Sequence, residues 1–237
     1  ELHPTETTEG YFRVMMQILQ QDGIPLSLYV DKHAVFRVNR DQTVEEQLSG
    51  KRPLTTFGRA MEELGVRVIF ADSAPAKGRV ERRGGFHQDR FVSELRLAGA
   101  CTIDEANAVL KKHLVKNNRR FRKAPAQSVS AFRPLPAGID LKQVLCWKEE
   151  RTVGNDNTIS FRGKTYQIAP SHLRSTWAKC KVMVHYCLDK SLHVFHKHER
   201  IAYFKNLNVA WNDLPNDPMI TRSLYLHSPT LTFSLGQ

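Results

Sequence analysis

Long apolar runs are missing from this sequence: no stretch approaches the roughly 18 consecutive apolar residues that a spanning helix needs, so a helical membrane protein is excluded. Cysteine is sparse. The four residues, at 101, 146, 180 and 187, have neither C-x-x-C spacing nor the density of a disulfide scaffold, which makes a reducing compartment the expected setting. No Gly-x-Ser-x-Gly word and no paired Cys and His setting occurs, so serine- and cysteine-hydrolase chemistry has no candidate nucleophile. Internal repeats are lacking, as is a charged-then-apolar leader; the chain begins Glu1-Leu2-His3-Pro4 without an initiator Met and is expected to be processed or a fragment. Apolar residues make up 41% and charged residues 25%, close to the globular norm, which excludes collagen-like and wholly disordered classes.

Acid is the other shortage. Against 35 Lys and Arg stand 24 Asp and Glu, a formal net charge of +11 with a pI near 9.7. The excess is local: Lys77 to Arg133 holds 14 basic and 5 acidic residues and so carries +9 of it. Charge that served only solubility would be spread out. Gathered in this way it points to nucleic acid, with a merely solvated face as the alternative.

Residues 8 to 21 have the spacing of a helix, with Tyr11, Met15, Ile18 and Leu19 recurring on one side and Asp22-Gly23 as the stop. Pro25 opens the apolar run Leu26 to Val30, which suits a buried strand ending at Asp31. Asn39 to Pro53 reads as a polar loop with about one turn of helix. Thr55 or Thr56 can cap a helix that buries Phe57, Ala60, Met61 and Leu64, and Gly65 ends it; Val66 to Phe70 is again strand-like. This alternation predicts a sheet with helices packed on it. A basic helical stretch over roughly 77–98 follows, stopped by Gly99. Thr102 and Glu105 have capping-box spacing and open a further helix to about Lys116. Prolines and Gly138 mark a linker. Beyond it, short segments at 157–161, 164–168, 181–187, 191–196 and 200–204 have β character, and five such strands predict a small antiparallel barrel.

Two carboxylates have placements that suit chemistry. Asp31 ends the first of the two strands, the position at which open α/β sheets present functional groups. Glu81 lies on the first turn after the second strand, so both would emerge on one edge; the alternative is two solvated acids, with Glu81 compensating Lys77 or Arg82. Lys77, Arg79, Arg82 and Arg83 flank Glu81, where phosphate positioning competes with helix solvation. Arg119, Arg120, Arg122 and Lys123 are interleaved with Phe121 and could contact backbone phosphates. His193, His196 and His198 cluster, His193 on one strand face and the other two on the opposite one, and read as surface histidines of the barrel rather than a metal site.

Several words around the acids occur together and in order. They include Glu6-Thr7-Thr8-Glu9-Gly10-Tyr11-Phe12, Gly23-Ile24-Pro25, Leu28-Tyr29-Val30-Asp31-Lys32-His33 with Phe36, and Thr56-Phe57-Gly58-Arg59-Ala60. Ala76-Lys77-Gly78-Arg79-Val80-Glu81-Arg82, Gln88-Asp89-Arg90 and Asn117-Asn118-Arg119-Arg120-Phe121 continue the series. In these words the chain resembles bacterial insertion-sequence transposases of the DDE type, those with a retroviral-integrase-like catalytic core, particularly the ISNCY type. Similarity covers about 120 residues and continues more weakly to about residue 204. It implies a ribonuclease-H-like fold and a catalytic Asp, Asp, Glu set, of which Asp31 matches the second acid and Glu81 the third.

The resemblance also implies strand cutting and transfer at phosphodiesters, with Asp31 and Glu81 as ligands of Mg²⁺ or Mn²⁺ and their carboxylates within roughly 4 to 8 Å of each other. Three departures accompany it. The interval from Asp31 to Glu81, 50 positions, is longer than is common in the wider superfamily, and Asn39 to Pro53 can hold the excess as a loop. Arg83-Gly84-Gly85-Phe86 replaces a glycine-free helix surface. The first Asp is expected upstream of residue 1.

The resulting reading is an α/β ribonuclease-H-like core, incomplete, with a helical extension over 1–123, a linker over 124–146, a small all-β barrel over 147–207 and a tail over 208–237. The expected protein is a C-terminal portion of a DNA transposase, inactive alone, weak in metal binding, acting on DNA as a homo-oligomer, cytoplasmic and nucleoid-associated, with no membrane partner. A non-catalytic DNA-binding remnant and a self-association module are the rivals.

Overall fold

The computed structural model describes residues 1–50, 53–71, 78, 85, 89–124, 128–171, 174–205 and 207. They fall into two compact units that divide between Leu145 and Cys146.

In the first unit α1 spans Thr8–Gln21, opened by Thr7, whose hydroxyl accepts from Gly10 N at 3.2 Å. Phe12, Met15 and Leu19 are buried on it, three and four apart as an amphipathic helix requires. Only glycine suits position 23. Its φ is +94°, and a Cβ there would meet the Arg133 carbonyl oxygen at 2.5 Å. The close approach arises because β1 (Ile24–Pro25) pairs antiparallel with β4 (Phe132–Arg133), Ile24 opposite Arg133. A short α2 (Val44–Ser49) interrupts the polar loop, held by a capping box in which Thr43 and Glu46 exchange hydrogen bonds.

Helix α3 (Thr56–Glu63) is capped by Thr55, which accepts from Gly58 N at 3.0 Å, and buries Phe57, Ala60 and Met61. Between α2 and β3 the chain therefore crosses over by a helix, and β2 (Ser27–Val30) pairs parallel with β3 (Arg67–Phe70) in the register Ser27 opposite Arg67 through Val30 opposite Phe70. The core of the unit lies mainly between helices: Phe12, Phe57, Tyr11 and Phe36 bring their rings together at centroid distances of 4.7 to 6.0 Å. The run Leu26 to Val30, expected to be buried, is not. Leu26 is 51% and Tyr29 48% exposed, because among the described residues this sheet has two strands and no layer covers both faces.

Residues 89–98 are helical, and α4 (Ile103–Phe121) runs five residues past its expected end, its capping box formed by Thr102 and Glu105 as the spacing predicts. Asn107 ties α4 to the start of the chain by accepting from Leu2 N at 2.6 Å and donating to Leu2 O at 3.1 Å. The stretch read as a linker is part of this unit. Arg133 donates to the Leu64 carbonyl at the end of α3, and Arg59 donates to Val144 O, 3.2 Å away, at the end of α5 (Leu141–Val144).

The second unit contains β5 (Cys146–Thr152), β6 (Thr158–Phe161), β7 (Lys164–Gln167), β8 (Lys181–Cys187), β9 (Leu192–His196) and β10 (Glu199–Phe204). Its described strands do not close into the expected barrel. They make an open antiparallel sheet in the order β10-β9-β8-β5 and a separate β6-β7 hairpin. The hairpin meets the sheet through rings rather than through backbone hydrogen bonds: Phe161 lies 5.6 Å from Tyr186 and Tyr166 lies 5.0 Å from Phe204. Val182, Val184, Tyr186, Leu192 and Val194 form the sealed face beneath it. Strand β5 is not among the five expected strands, because Lys148-Glu149-Glu150-Arg151 reads as surface. Partners beyond the strand explain how it is one, Glu150 accepting from Lys181 at 2.8 Å on β8 and Glu149 pairing with Arg162 in the turn before β7, while Arg151 on the same strand also engages Glu149. Residues 208–237, expected as a tail, lie outside the described residues.

Candidate nucleic-acid interface and carboxylate edge

Parallel pairing carries the carboxyl ends of β2 and β3 to the same edge, where Ala71 N donates to Val30 O at 2.8 Å. Asp31 sits there, one residue beyond β2, exposed. Its Oδ1 accepts from His33 N at 3.0 Å, an Asx turn that holds the carboxylate beside the turn Asp31 to His33. Glu81 lies outside the described residues, as do Lys77, Arg79, Arg82 and Arg83.

Around Asp31 the fold assembles groups to which the sequence alone gives no role. Tyr11, on α1, donates from its hydroxyl to Glu6, and His33 Nδ1 lies 3.6 Å from the same carboxylate. The Tyr11 hydroxyl is pushed well above its ordinary pKa by burial, then by the bond to Glu6, with the charges of Glu6 and Asp31 adding to it. It therefore stays a neutral donor. Glu6, Tyr11 and His33 all fall within the words on which the resemblance rests, a signal that singles out their segments and does not show that they meet in space. Among the described residues no group of three His, Cys, Asp or Glu side chains is arranged to hold a metal ion. A single exposed carboxylate with one oxygen engaged is chemically suited to a hard cation.

The basic cluster is visible in part. Arg119, Arg120, Arg122 and Lys123 are all exposed. On α4 the burial pattern separates two sides: His113 and Asn117, one turn apart, face inward, with the His113 ring 5.6 Å from Phe91. Lys112, Lys116 and Arg119 recur at the spacing of one outward stripe, beside Lys111 and Arg122. Lys116 is partly engaged, its Nζ 3.7 Å from Glu94. Asp104 and Glu105 in the first turn with Arg119 and Arg120 in the last complement the helix dipole, a structural role that accounts for only the ends of this pattern. From Lys111 to Arg122 the stripe is about 17 Å long at 1.5 Å per residue, enough to follow several phosphates.

The histidine cluster departs from expectation. His193 is buried and shares a 3.0 Å hydrogen bond with Ser191, burial then the charge of Arg200 lowering its pKa; His196 contacts the Trp177 ring at 5.4 Å, and His198 lies in the turn after β9. Strand alternation puts His193 on the face opposite that of Leu192 and Val194, where the rings of Phe195 and Tyr203 lie over it, and the sequence alone does not show that this second face is covered too. A second basic region has no place in the sequence-based expectation: Cys146 to Lys205 holds 11 Lys and Arg against 5 Asp and Glu. A charge count by segment would have found it.

No family model matches the chain. A Sinorhizobium fredii protein named "Putative transposase y4bF" is 36% identical over 200 residues, covering 84% of this chain and 43% of that protein. A Streptococcus pneumoniae protein named as the transposase for insertion sequence IS1202 is 32% identical over 163 residues, 68% of this chain and 34% of its own length. The chain is similar to transposases. It spans less than half the length of these two relatives. Among the described residues no helix is long and apolar enough to cross a membrane.

Proposed function

We propose that this chain is part of a DDE-type transposase of the ISNCY kind, with a ribonuclease-H-like core, and that its direct task is to hold DNA. The observation that carries the reading is the similarity, over most of the chain, to two proteins named as transposases. The exposed stripe on α4 supports it, since a row of cations on one side of a helix is suited to phosphates and needs no base contact. Asp31 and Glu81 are the acids proposed for strand cutting and transfer, with Lys77, Arg79, Arg82 and Arg83 as phosphate contacts beside them. In that chemistry Mg²⁺ or Mn²⁺ would be held by these two carboxylates together with a third acid and would offset charge on the attacking and leaving oxygens. Asp31 is suited to its share by its exposure and its position at a strand end. DNA, element ends and target, is the proposed partner, bound by more than one copy of the protein in the cytoplasm at the nucleoid.

Fluorescence anisotropy of a mixed-sequence duplex, titrated with the chain at several salt concentrations, tests this. Log affinity is expected to fall linearly with log salt, and replacing Arg119, Arg120, Arg122 and Lys123 by Ala should shallow the slope by about one unit for each phosphate that the cluster neutralises. Absence of duplex binding at low salt would overturn the reading; a slope unchanged in the variant would remove this cluster from it.

A further inference from the structure

We propose that Cys146 and Cys187, opposed across β5 and β8, are a redox modification site: hydrogen peroxide converts them to a reversible disulfide that staples the first strand of the second unit to its neighbour. The pair stands whether or not the chain holds DNA. All four cysteines are thiols in the structure, Cys101 exposed, Cys180 half-buried, and Cys146 and Cys187 buried.

In the antiparallel register Cys146 lies directly opposite Cys187. Cys187 N donates to Ser191 O at 2.9 Å and its carbonyl accepts from Lys190 N at 3.0 Å, so both of its backbone groups turn toward β9 and neither turns toward β5. Cys146 and Cys187 therefore form a non-hydrogen-bonded pair, the kind in which Cα atoms stand about 4.5 Å apart and side chains come closest. A disulfide spans Cα separations of roughly 4.4 to 6.8 Å, so the two strands already stand at the distance that the bond requires. The thiols also meet, that of Cys187 donating to Cys146 Sγ.

Buried cysteines commonly serve as small apolar side chains, and the neighbours of this pair argue for more. Register and strand alternation put Cys146 and Lys148 of β5, His185 and Cys187 of β8 and His193 of β9 on one face of the sheet, opposite the face of Tyr186, Leu192 and Val194. Burial raises the pKa of the Cys146 thiol, but hydrogen bonds from Cys187 and His185 and the charges of His185 and Lys148 outweigh it and hold that thiol well below its ordinary value. Cys187 is pushed up, by its bond to Cys146, then by burial and the Cys146 charge. The roles divide accordingly. Cys146 is the attacking sulfur and Cys187 the resolving one.

The Cys146 thiolate attacks one oxygen of hydrogen peroxide, the O–O bond breaks, and the departing hydroxide takes up the proton that Cys146 has lost and leaves as water. The sulfenic acid on Cys146 is then attacked by the Cys187 sulfur, the S–O bond breaks, and the hydroxyl leaves as a second water with the Cys187 proton. Two electrons pass from the thiols to the peroxide. Access needs no global unfolding: β5 is the last strand in the order of the described sheet and Cys146 is its first residue, so opening of one strand end admits a small oxidant. In the reducing compartment that the sequence leads one to expect, such a bond is transient, which suits a sensor.

Treatment of the full, folded chain with hydrogen peroxide, followed by alkylation of the remaining thiols, intact mass and peptide mapping, tests this without any substitution. The monomer is expected to lose two hydrogens, its alkylated thiols to fall from four to two, and the peptides holding Cys146 and Cys187 to be found joined; dithiothreitol should restore all four thiols. Because the bond closes a loop of 41 positions, the oxidised chain should melt about 10 °C higher, followed by tryptophan fluorescence of the second unit. Cys101→Ser with Cys180→Ser should leave the linkage and the shift in Tm unchanged, and Cys187→Ala should abolish both. Any of four results would overturn the proposal: Cys146 and Cys187 still alkylated after peroxide, linkage only through Cys101 or Cys180 or between two chains, Cys146 carried on to the sulfinic acid without joining Cys187, or a linked chain whose Tm falls. If the Cys187 variant fails to fold, the joined peptides and the thiol count of the unsubstituted chain decide the matter alone.

Discussion

The parallel pair β2-β3 and the antiparallel sheet β5-β8-β9-β10 are both apolar in sequence, yet they differ sharply in burial. Strand β8 buries four of its seven residues, Val182, Val184, Tyr186 and Cys187, whereas β2 and β3 bury none of their eight. A sheet gains stability from what lies on its faces more than from its ladder. The second unit supplies that layer itself, through the β6-β7 hairpin. In the first unit the close packing is between α1 and α3, and the sheet edge that presents Asp31 is left comparatively open.

The sharpest test of this contrast is to empty each core in turn. Phe57→Ala should cost the first unit about 3 to 5 kcal/mol, and Tyr186→Ala should cost the second a similar amount, read from urea melts followed by circular dichroism for the helices of the first unit and by tryptophan fluorescence for the second. Tyr29→Ala, by contrast, should stay within about 1 kcal/mol, since half of that side chain is already in water. If it matched Phe57→Ala, the β2-β3 pair would be covered and the comparison would fail.

The smallest effect concerns acid. Hydrogen bonds from Arg40 and from Thr43 N hold the Glu46 carboxyl down at about 2, from an ordinary 4.5. A lowered folded pKa contributes stability that is complete above about pH 4.5 and lost as pH falls toward about 2. Glu46→Gln should therefore lower Tm at neutral pH and flatten its decline across that window; an identical decline in wild type and variant would show that this pair does not report on the fold.

Helices are the most legible elements, because their signals are local. Thr55 and Thr102 are readable as caps three residues before the groups they bond, and Phe57, Ala60 and Met61 as one face. In the second unit the hairpins β6-β7 and β8-β9 follow from the turns expected at Gly163 and Asp189-Lys190, while β9 and β10 turn at Lys197-His198, one residue before the expected His198-Glu199. What escapes depends on distant partners. The β1-β4 pairing joins residues more than a hundred positions apart, and β5 is concealed by charges whose partners lie on β8 and in the turn before β7. Of the site, the placement of Asp31 at a strand end is legible; its neighbours Glu6 and Tyr11 are not, since they come from α1 and the segment before it.

By itself, then, the sequence determined the local grammar of this protein: where helices begin and stop, which strands alternate, where the cations gather, and its similarity to transposases. Those properties are set by neighbours within a few residues, or by identity alone. Tertiary structure decided which apolar strand is sealed and which is open, which histidine is buried, and whether the described β strands close. Each of these depends on what lies across a sheet face or opposite in a register, and such neighbours are brought there only when residues far apart in the chain meet.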